Sequence, residues 1–280
     1  KEESRMQSRS SILKFLIYTL LVFLSAVFLM PIVWVIFSSF KPAGELFTWP
    51  PTLLGRNPSL DNYTQAFAAG DFGRWFLNTV VVSVLATVLT VIVNIMAGYV
   101  FAKYEFKGKK LLFGMVMVTL MIPLEVIMIP IFKVIVSTHM YNNLWGLIIP
   151  AVASPTAVFL VKQYYEPIPD ALMEAARIDG ASERQILMRI MLPLAKPIIS
   201  VLCIFSFMWR WNDYLWPKLV INSKTKYTLQ LALANFSGEY SVDWSSLLAM
   251  SVISMIPVLV VFLTLQKYII GGMTAGGVKG

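Results

Sequence analysis

Residues 12–37 read ILKFLIYTLLVFLSAVFLMPIVWVIF, an apolar run whose only charged residue is Lys14. A helix needs about 20 mostly apolar residues to cross roughly 30 Å of hydrocarbon. Basic residues precede the run, as in a secretory signal, but the apolar region of a signal peptide has only about 7–15 residues. No A-x-A-like cleavage site follows it. The stretch therefore predicts a retained transmembrane helix.

The composition of the whole chain agrees with a membrane protein. Apolar residues make up 58% of the 280 residues, charged residues make up 14%, and the mean hydropathy is +0.71. Soluble domains have about 45–50% apolar and about 25% charged residues. The net charge is +8, but the basic residues cluster between apolar runs and form no continuous basic face. This pattern indicates basic membrane loops and argues against a nucleic-acid partner.

Six stretches are long and apolar enough to span a bilayer, so we expect an all-α integral membrane protein. They are Ile12–Phe37, Arg74–Ala102, Leu111–Val136, Leu144–Val161, Pro197–Ile221 and Leu247–Ile270. The fourth stretch contains Pro150 and Pro155. Proline removes a helical hydrogen bond, and in membranes a neighbouring helix can supply the missing donor. Irregular helices of this kind predict a packed bundle.

The distribution of Lys and Arg predicts the orientation. These residues are more numerous in the loops between spans two and three and between spans four and five, which places both loops and both termini in the cytoplasm. We expect four regions. They are a cytoplasmic tail at 1–11, a first span with its outer loop at 12–73, a core at 74–270 and a cytoplasmic tail at 271–280. The core includes a long cytoplasmic loop at 162–196, called the helical loop below.

The helical loop reads KQYYEPIPDALMEAARIDGASERQILMRIMLPLAK and contains the strongest local signals. Asp170 has the side chain of an N-cap, which predicts a short helix at Ala171–Asp179. Gly180 follows where a helix end favours a residue with positive φ. An S-x-x-Q capping box at Ser182 then predicts a second short helix. The loop is therefore expected to be a helix–turn–helix.

The first of these helices has small residues and charged edges. Ala175 and Ala176 would let another surface approach closely, and Glu174, Arg177 and Asp179 would surround that approach with charge. Two interpretations remain open at this point. The helix either docks a protein partner or lies at the membrane interface as a connector.

The spacing of these residues resembles a known motif. Glu174-Ala175-Ala176, three residues, Gly180, nine residues, Ile190, one residue and Leu192-Pro193 match the EAA motif of ABC-importer permeases. In that family this loop forms the coupling helices, which dock in a cleft of a separate ATP-binding subunit.

The resemblance implies a role for each matching residue. Glu174 would pair with basic groups on the ATP-binding subunit, and Ala175 and Ala176 would pack into its cleft. Gly180 would make the turn, and Leu192-Pro193 would fix the exit toward the fifth span.

Other segments resemble carbohydrate-type permeases, in particular the second permease subunit of the maltose transporter family. They are Trp211-Asn212-Asp213-Tyr214-Leu215-Trp216-Pro217, Ser38-Phe40-Lys41, Leu60-Asn62-Tyr63 and the tail from Lys267-Tyr268 to Gly280. Lys218-Leu219 departs from the pattern, because many relatives have an apolar residue first. The departure weakens the assignment of a substrate and leaves the family assignment unchanged.

This resemblance implies a six-span ABC importer permease in a bacterial cytoplasmic membrane, importing a sugar or oligosaccharide by alternating access. The implied partners are a second homologous permease, two ATP-binding subunits, an extracytoplasmic solute-binding protein and membrane lipid. ATP and Mg would bind to the ATP-binding subunits, and this chain would have no cofactor. A non-sugar solute such as glycerol phosphate is the alternative.

The sequence gives little support for nucleotide binding, metal binding or catalysis by this chain. Gly108-Lys109-Lys110 lacks the upstream Gly and the Ser/Thr of a P-loop, and Gly272 and Gly277 are followed by Val278 in place of Lys. With one histidine, His139, and one cysteine, Cys203, neither a multi-histidine nor a thiolate metal site is expected. We therefore predict no catalytic and no metal residues. A carrier or channel would keep charges at mid-membrane, where Glu125 is the main candidate.

Candidates for the solute pathway lie near the end of the fifth span and in the third. They are Trp209, Trp211, Asn212, Asp213, Tyr214 and Glu125. Aromatic faces and polar groups together suit sugars. Two other interpretations stay open, because Trp and Tyr also anchor helices at membrane interfaces, and Arg210 can neutralise Asp213. Glu125 either lines a cavity or pairs with another helix.

Overall fold

The computed structural model describes the backbone of residues 2–235 and 242–277 and the side chains of residues 13–68, 70–234 and 242–268. The elements formed by these residues are helices. The α-helices are α1 (Glu2–Ser38), α2 (Asp61–Ala69), α3 (Phe72–Lys103), α4 (Lys109–Thr119), α5 (Leu124–Ser137), α6 (Trp145–Val152), α7 (Pro155–Tyr165), α8 (Ala171–Ile178), α9 (Glu183–Ile186), α10 (Leu192–Leu194), α11 (Lys196–Trp211), α12 (Leu215–Val220), α13 (Leu229–Asn235) and α14 (Trp244–Gly277). A π-helical turn, Leu187–Met191, joins α9 to α10.

The number of possible membrane spans agrees with the prediction of six. Four described helical stretches are long and apolar enough to cross a bilayer by themselves, and they are Leu13–Ser38, Phe72–Lys103, Trp145–Tyr165 and Trp244–Tyr268. Two bent pairs raise the number to six if each counts as one span. The chain is therefore an all-helical, multi-pass membrane protein, as predicted.

Three predicted spans are not continuous helices. Leu144–Val161 is divided between α6 and α7, and the other two break as follows. Leu111–Val136 breaks between α4 and α5 with a bend of 106°, because Pro123 lacks an N–H donor and disfavours helical backbone just before it. Pro197–Ile221 is interrupted after α11, where the Asp213 carboxylate accepts a hydrogen bond from the Trp216 N–H at 3.2 Å, in the first turn of α12. The breaks after α4 and after α11 involve specific residues, and a hydropathy average does not detect such residues.

The predicted tails are helical as far as they are described. α1 already begins at Glu2 and α14 continues to Gly277, so the described residues 2–11 and 271–277 extend the first and last helices. The resemblance noted at Val278-Lys279-Gly280 lies outside the described residues. The division into tails, outer loop and core stays a prediction.

The chain divides into two compact units, and the first contains described residues from 2–70 and 242–253. Here the Asn62 amide donates to the carbonyls of Ser39 and Lys41, at 2.8 and 2.7 Å. The hydroxyls of Ser39 and Tyr63 are 2.7 Å apart. The two short motifs noted after the first span and in the outer loop therefore bind each other and fix the direction in which the chain leaves α1.

The second unit contains described residues from 71–235 and 254–277 and is organised around α3. This helix packs against α6, α7 and α11. One buried cluster surrounds its C-terminal half and includes Tyr99, Val161, Ile186 and Leu202. α3 is therefore the central helix of the second unit.

A polar face of α3 compensates for the proline break between α6 and α7. Pro155 has no N–H for the Ala151 carbonyl, which instead accepts from Thr90 Oγ1 and Arg210 Nη2, each at 3.0 Å. The Asn94 amide donates to the Val152 carbonyl at 2.7 Å. Side chains of neighbouring helices thus provide the donors that the proline lacks, as the sequence predicted.

Candidate functional site

The helical loop begins in the last turn of α7, and the start of α8 differs from the prediction. Asp170 stands at the N-cap position of α8 but makes no capping hydrogen bond. Its carboxylate instead accepts from the Lys103 ammonium at 2.8 Å. The capping prediction was wrong, because a buried lysine of α3 competes for the carboxylate more strongly than backbone N–H groups.

Helix α8 presents one face to the protein and one to its surroundings. Met173 and Ala176, three residues apart, are buried in the cluster around α3. Ala176 therefore packs inside its own chain, contrary to the expected packing of both alanines on a partner, and only Ala175 is exposed. The outward face also has a large apolar residue that sequence reasoning missed, Ile178, which is 86% exposed. Ile178 does not share the helical spacing of Met173 and Ala176, and this difference could have predicted that it faces outward.

The charged residues of α8 lie on the exposed side as predicted. Glu174, Arg177 and Asp179 are all exposed. The guanidinium of Arg177 donates to the Glu183 carboxylate, with an Nε–Oε1 distance of 2.7 Å. Since Arg177 is paired within the chain, Glu174 and Asp179 remain as acidic groups around Ala175 and Ile178.

The turn between the two short helices has the predicted geometry. Gly180 has a φ of +79°, a conformation that side-chain-bearing residues rarely adopt. The N–H groups of Gly180 and Ala181 donate to the carbonyls of Arg177 and Ala176, at 3.0 and 2.9 Å, which is a Schellman ending. Ser182 then forms the predicted capping box with Gln185. The direction of the exposed helix is therefore fixed by its own sequence.

The exit of the helical loop is held by α7. The Tyr164 hydroxyl donates to the Leu194 carbonyl at 2.8 Å, and the Tyr165 hydroxyl donates to the Met191 carbonyl at 3.2 Å. Leu192 and Pro193 lie between these two anchored positions, just before the 74° bend into α11. At the other end of the loop, the Lys162 ammonium donates to Glu166 and lowers the pKa of that carboxyl. Both ends of the loop are thus tied to one helix.

The pathway candidates at the end of α11 separate into buried and exposed residues. Trp211 is only 1% exposed. It stacks on Phe207 with ring centroids 5.4 Å apart, and its indole donates to the Ser254 carbonyl at 2.9 Å. Trp209 is 62% exposed, and Asn212 is also exposed. In this conformation Trp211 offers no surface to a solute, whereas its neighbours do.

The charged candidates have partners other than those considered from the sequence. Arg210 binds the Ala151 carbonyl, and Asp213 accepts a hydrogen bond from the Trp216 N–H in the first turn of α12. No direct ion pair joins Arg210 to Asp213 within the described part of the chain. Tyr214 is half-buried, with the Lys218 ammonium 5.2 Å from its ring centroid. Glu125 is exposed in the first turn of α5, next to the break between α4 and α5. The structure does not bring Glu125 together with the residues of α11.

Comparison with known proteins identifies a family. Residues 94–274 match the family described as "Binding-protein-dependent transport system inner membrane component". The chain is 39% identical to the arabinooligosaccharides transport system permease protein AraQ of Bacillus subtilis (strain 168), covering 92% of each chain. It is 31% identical to the diacetylchitobiose uptake system permease protein NgcG of Streptomyces coelicolor, covering 92% of this chain and 87% of the relative.

A solved structure supports the fold. A chain of a bacterial ABC transporter involved in the import of the acidic polysaccharide alginate superposes with a TM-score of 0.82, covering 92% of this chain and 96% of that chain. The sequence identity is 24%, so this likeness establishes the architecture of the bundle alone.

Proposed function

The chain belongs to the binding-protein-dependent transport system inner membrane components, and from this premise we propose that it is a permease subunit of an ATP-driven importer for an oligosaccharide. The relatives compared above are permease proteins of transport systems, not enzymes. One of them takes up arabinooligosaccharides and the other diacetylchitobiose, according to their names. Their shared chemistry, a short chain of sugars, is the substrate class that we assign to this chain.

One observation supports a separate ATP-binding subunit as the energy source, namely the exposed helix α8 and its fixed direction. A Schellman ending at Gly180 and a capping box at Ser182 hold α8 in a fixed direction, with Glu174, Ala175 and Ile178 facing outward. An exposed apolar side chain beside small and acidic residues suits a pocket with basic edges. We assign that pocket to an ATP-binding subunit.

The assembly we propose contains two permeases, two ATP-binding subunits and a solute-binding protein. ATP and Mg would bind to the ATP-binding subunits, and closure of these subunits would move the helical loops and expose the solute pathway alternately to the two sides. The helical loop and both termini would then be cytoplasmic, in agreement with the distribution of Lys and Arg.

For the solute pathway we propose the exposed candidates near the end of α11, with Glu125 of α5 as a further contributor. The indole face of Trp209 suits the C–H face of a sugar, and Asn212 suits its hydroxyls. Asp213 and Tyr214 would contribute by shaping the backbone between α11 and α12. Trp211 would support this region from inside the protein.

The experiment is purification of the chain in mild detergent together with its companion subunits, followed by reconstitution in liposomes. ATP hydrolysis is measured with the solute-binding protein and oligosaccharides derived from arabinan, chitin or alginate, with glycerol 3-phosphate as the competing solute. We expect one class of oligosaccharide to stimulate ATP hydrolysis and to accumulate inside.

Two outcomes would contradict this proposal. Stimulation by glycerol 3-phosphate alone would overturn the substrate class and leave the transport mechanism intact. Solute flux through the purified chain without any ATP-binding subunit would indicate a carrier or channel instead.

A further inference from the structure

The end of α3 makes contacts with the helical loop that the docking role alone does not require. Lys103 is the last residue of α3, and its side chain is 2% exposed. Its ammonium donates to the Asp170 carboxylate at 2.8 Å and also to the Ile168 carbonyl. A single buried cation therefore holds the chain immediately before α8.

The next residue holds the second short helix. The Tyr104 hydroxyl donates to the carboxylate of Glu183, the first residue of α9. The same carboxylate accepts from the Arg177 guanidinium of α8, with an Nη2–Oε2 distance of 3.3 Å in addition to the shorter Nε bond. Through Glu183, Tyr104 is thus linked to both α8 and α9.

Packing beneath these polar contacts continues along α3. The Tyr99 ring lies against Tyr104, with centroids 5.4 Å apart, and against Tyr165, with centroids 5.5 Å apart. Its hydroxyl donates to the Met173 sulfur at 3.7 Å. α3 is 32 residues long and packs against α6, α7 and α11, so this helix connects the helical loop to the centre of the second unit.

From this arrangement we propose that Lys103 and Tyr104 are positioning residues that transmit movement of the helical loop to α3. The inference rests on the proposed function, in which an ATP-binding subunit moves the loop. Without these two side chains α8 would still present Glu174, Ala175 and Ile178 to the ATP-binding subunit. The connection between α8 and α3 would then be looser, and ATP hydrolysis would no longer be coupled to movement of the solute.

The test uses the assembled importer in liposomes and measures ATP hydrolysis and solute uptake in the same preparation. Lys103→Met should lower uptake per complex by about tenfold, because it removes two hydrogen bonds from a charged donor, while ATP hydrolysis stays within about twofold. Lys103→Arg should restore most of the uptake, since it retains the charge. Tyr104→Phe removes one oxygen atom and should lower uptake by about threefold.

Matched controls are Lys107→Met and Tyr141→Phe. Lys107 is exposed on the same loop as Tyr104, and Tyr141 is an exposed tyrosine elsewhere. Both should keep the wild-type ratio of solute moved to ATP hydrolysed.

A purely structural role predicts a different result, in which uptake and hydrolysis fall in proportion to the amount of assembled complex. That outcome, or an unchanged ratio in both Lys103→Met and Tyr104→Phe, would overturn the inference. Should Lys103→Met fail to assemble, the ratio measured for Tyr104→Phe decides. If the wild-type complex itself shows no ATP-dependent uptake, the proposed function fails instead.

Discussion

The indole N–H of Trp216 donates to the Gly146 carbonyl at 3.0 Å. That carbonyl lies four residues before Pro150, whose missing N–H would otherwise be its helical donor. The tryptophan of α12 thus takes the place of a backbone group in α6. Inside a membrane this exchange matters more than in water, because a free carbonyl has no solvent to bind.

Trp216→Phe tests this replacement, since phenylalanine keeps an aromatic ring and removes the donor. We expect the free energy of unfolding to fall by about 1–3 kcal/mol, the cost of leaving a buried carbonyl unpaired. Thermal unfolding of the detergent-solubilised protein would measure it. Trp209→Phe is the control, because Trp209 is 62% exposed, and an equal loss in both variants would contradict the proposed exchange.

The replacement also shows what the sequence could and could not predict. Pro150 and Pro155 predicted two missing backbone hydrogen bonds. The expectation that neighbouring helices supply the missing donors was correct. Which side chains compensate depends on helix packing, so Trp216 and Arg210 could not be identified as the donors. Pro123 lies within the predicted span Leu111–Val136. Nothing in its local sequence predicts that the bend there reaches 106°.

Within the helical loop, local chemistry predicted the turns and tertiary contacts changed the rest. Gly180 and Ser182 act through neighbours in the sequence and lie as expected. Asp170 and Ala176 did not follow the prediction, because Lys103 attracts the former and the core around α3 buries the latter.

Gly98 lets α3 and α7 approach closely. A Cβ at this position would lie 2.5 Å from the Val161 Cβ and 3.0 Å from the Lys162 nitrogen, so Gly98→Ala should force the helices apart. We expect a loss of about 1–3 kcal/mol in unfolding free energy, as for other overpacked cores. Gly114→Ala in α4 is the control, because a Cβ there meets nothing within 4 Å and should stabilise the helix by about 0.5–1 kcal/mol. Similar effects from both variants would show that helix propensity dominates.

Gly180→Ala separates backbone strain from packing, because a Cβ at Gly180 also meets nothing within 4 Å. The positive φ should cost about 1–2 kcal/mol in a residue with a side chain. Hydrogen exchange at the Ala181 amide, which donates to the Ala176 carbonyl, should accelerate accordingly by about 5- to 30-fold. Gly180→Asn should show a smaller increase, since asparagine adopts this conformation more readily. Equal exchange rates in wild type and Gly180→Ala would mean that the turn is not strained.

Glu174→Lys reverses a charge on the exposed face of α8. The variant should fold normally, within about 0.5 kcal/mol, because surface substitutions away from special contacts have small effects. Binding of the ATP-binding subunits should weaken at least about tenfold, because a lysine would meet their basic groups. Co-purification and stimulated ATP hydrolysis would measure this, with Lys107→Glu as a charge reversal of similar exposure. If Glu174→Lys binds the ATP-binding subunits and stimulates ATP hydrolysis as the wild type does, the proposed docking role of α8 is contradicted.

Two tryptophans in α11 give opposite expectations for stability and transport. Trp211→Ala empties a buried site that packs against Phe207, so it should lower the free energy of unfolding by about 3–5 kcal/mol. Trp209→Ala should leave stability within about 0.5 kcal/mol, because most of that side chain is exposed. If Trp209 contacts the solute, uptake in reconstituted liposomes should show a higher KM for oligosaccharide at an unchanged amount of complex. An unchanged KM for every transported oligosaccharide would make Trp209 a membrane anchor and move the solute contacts to other residues.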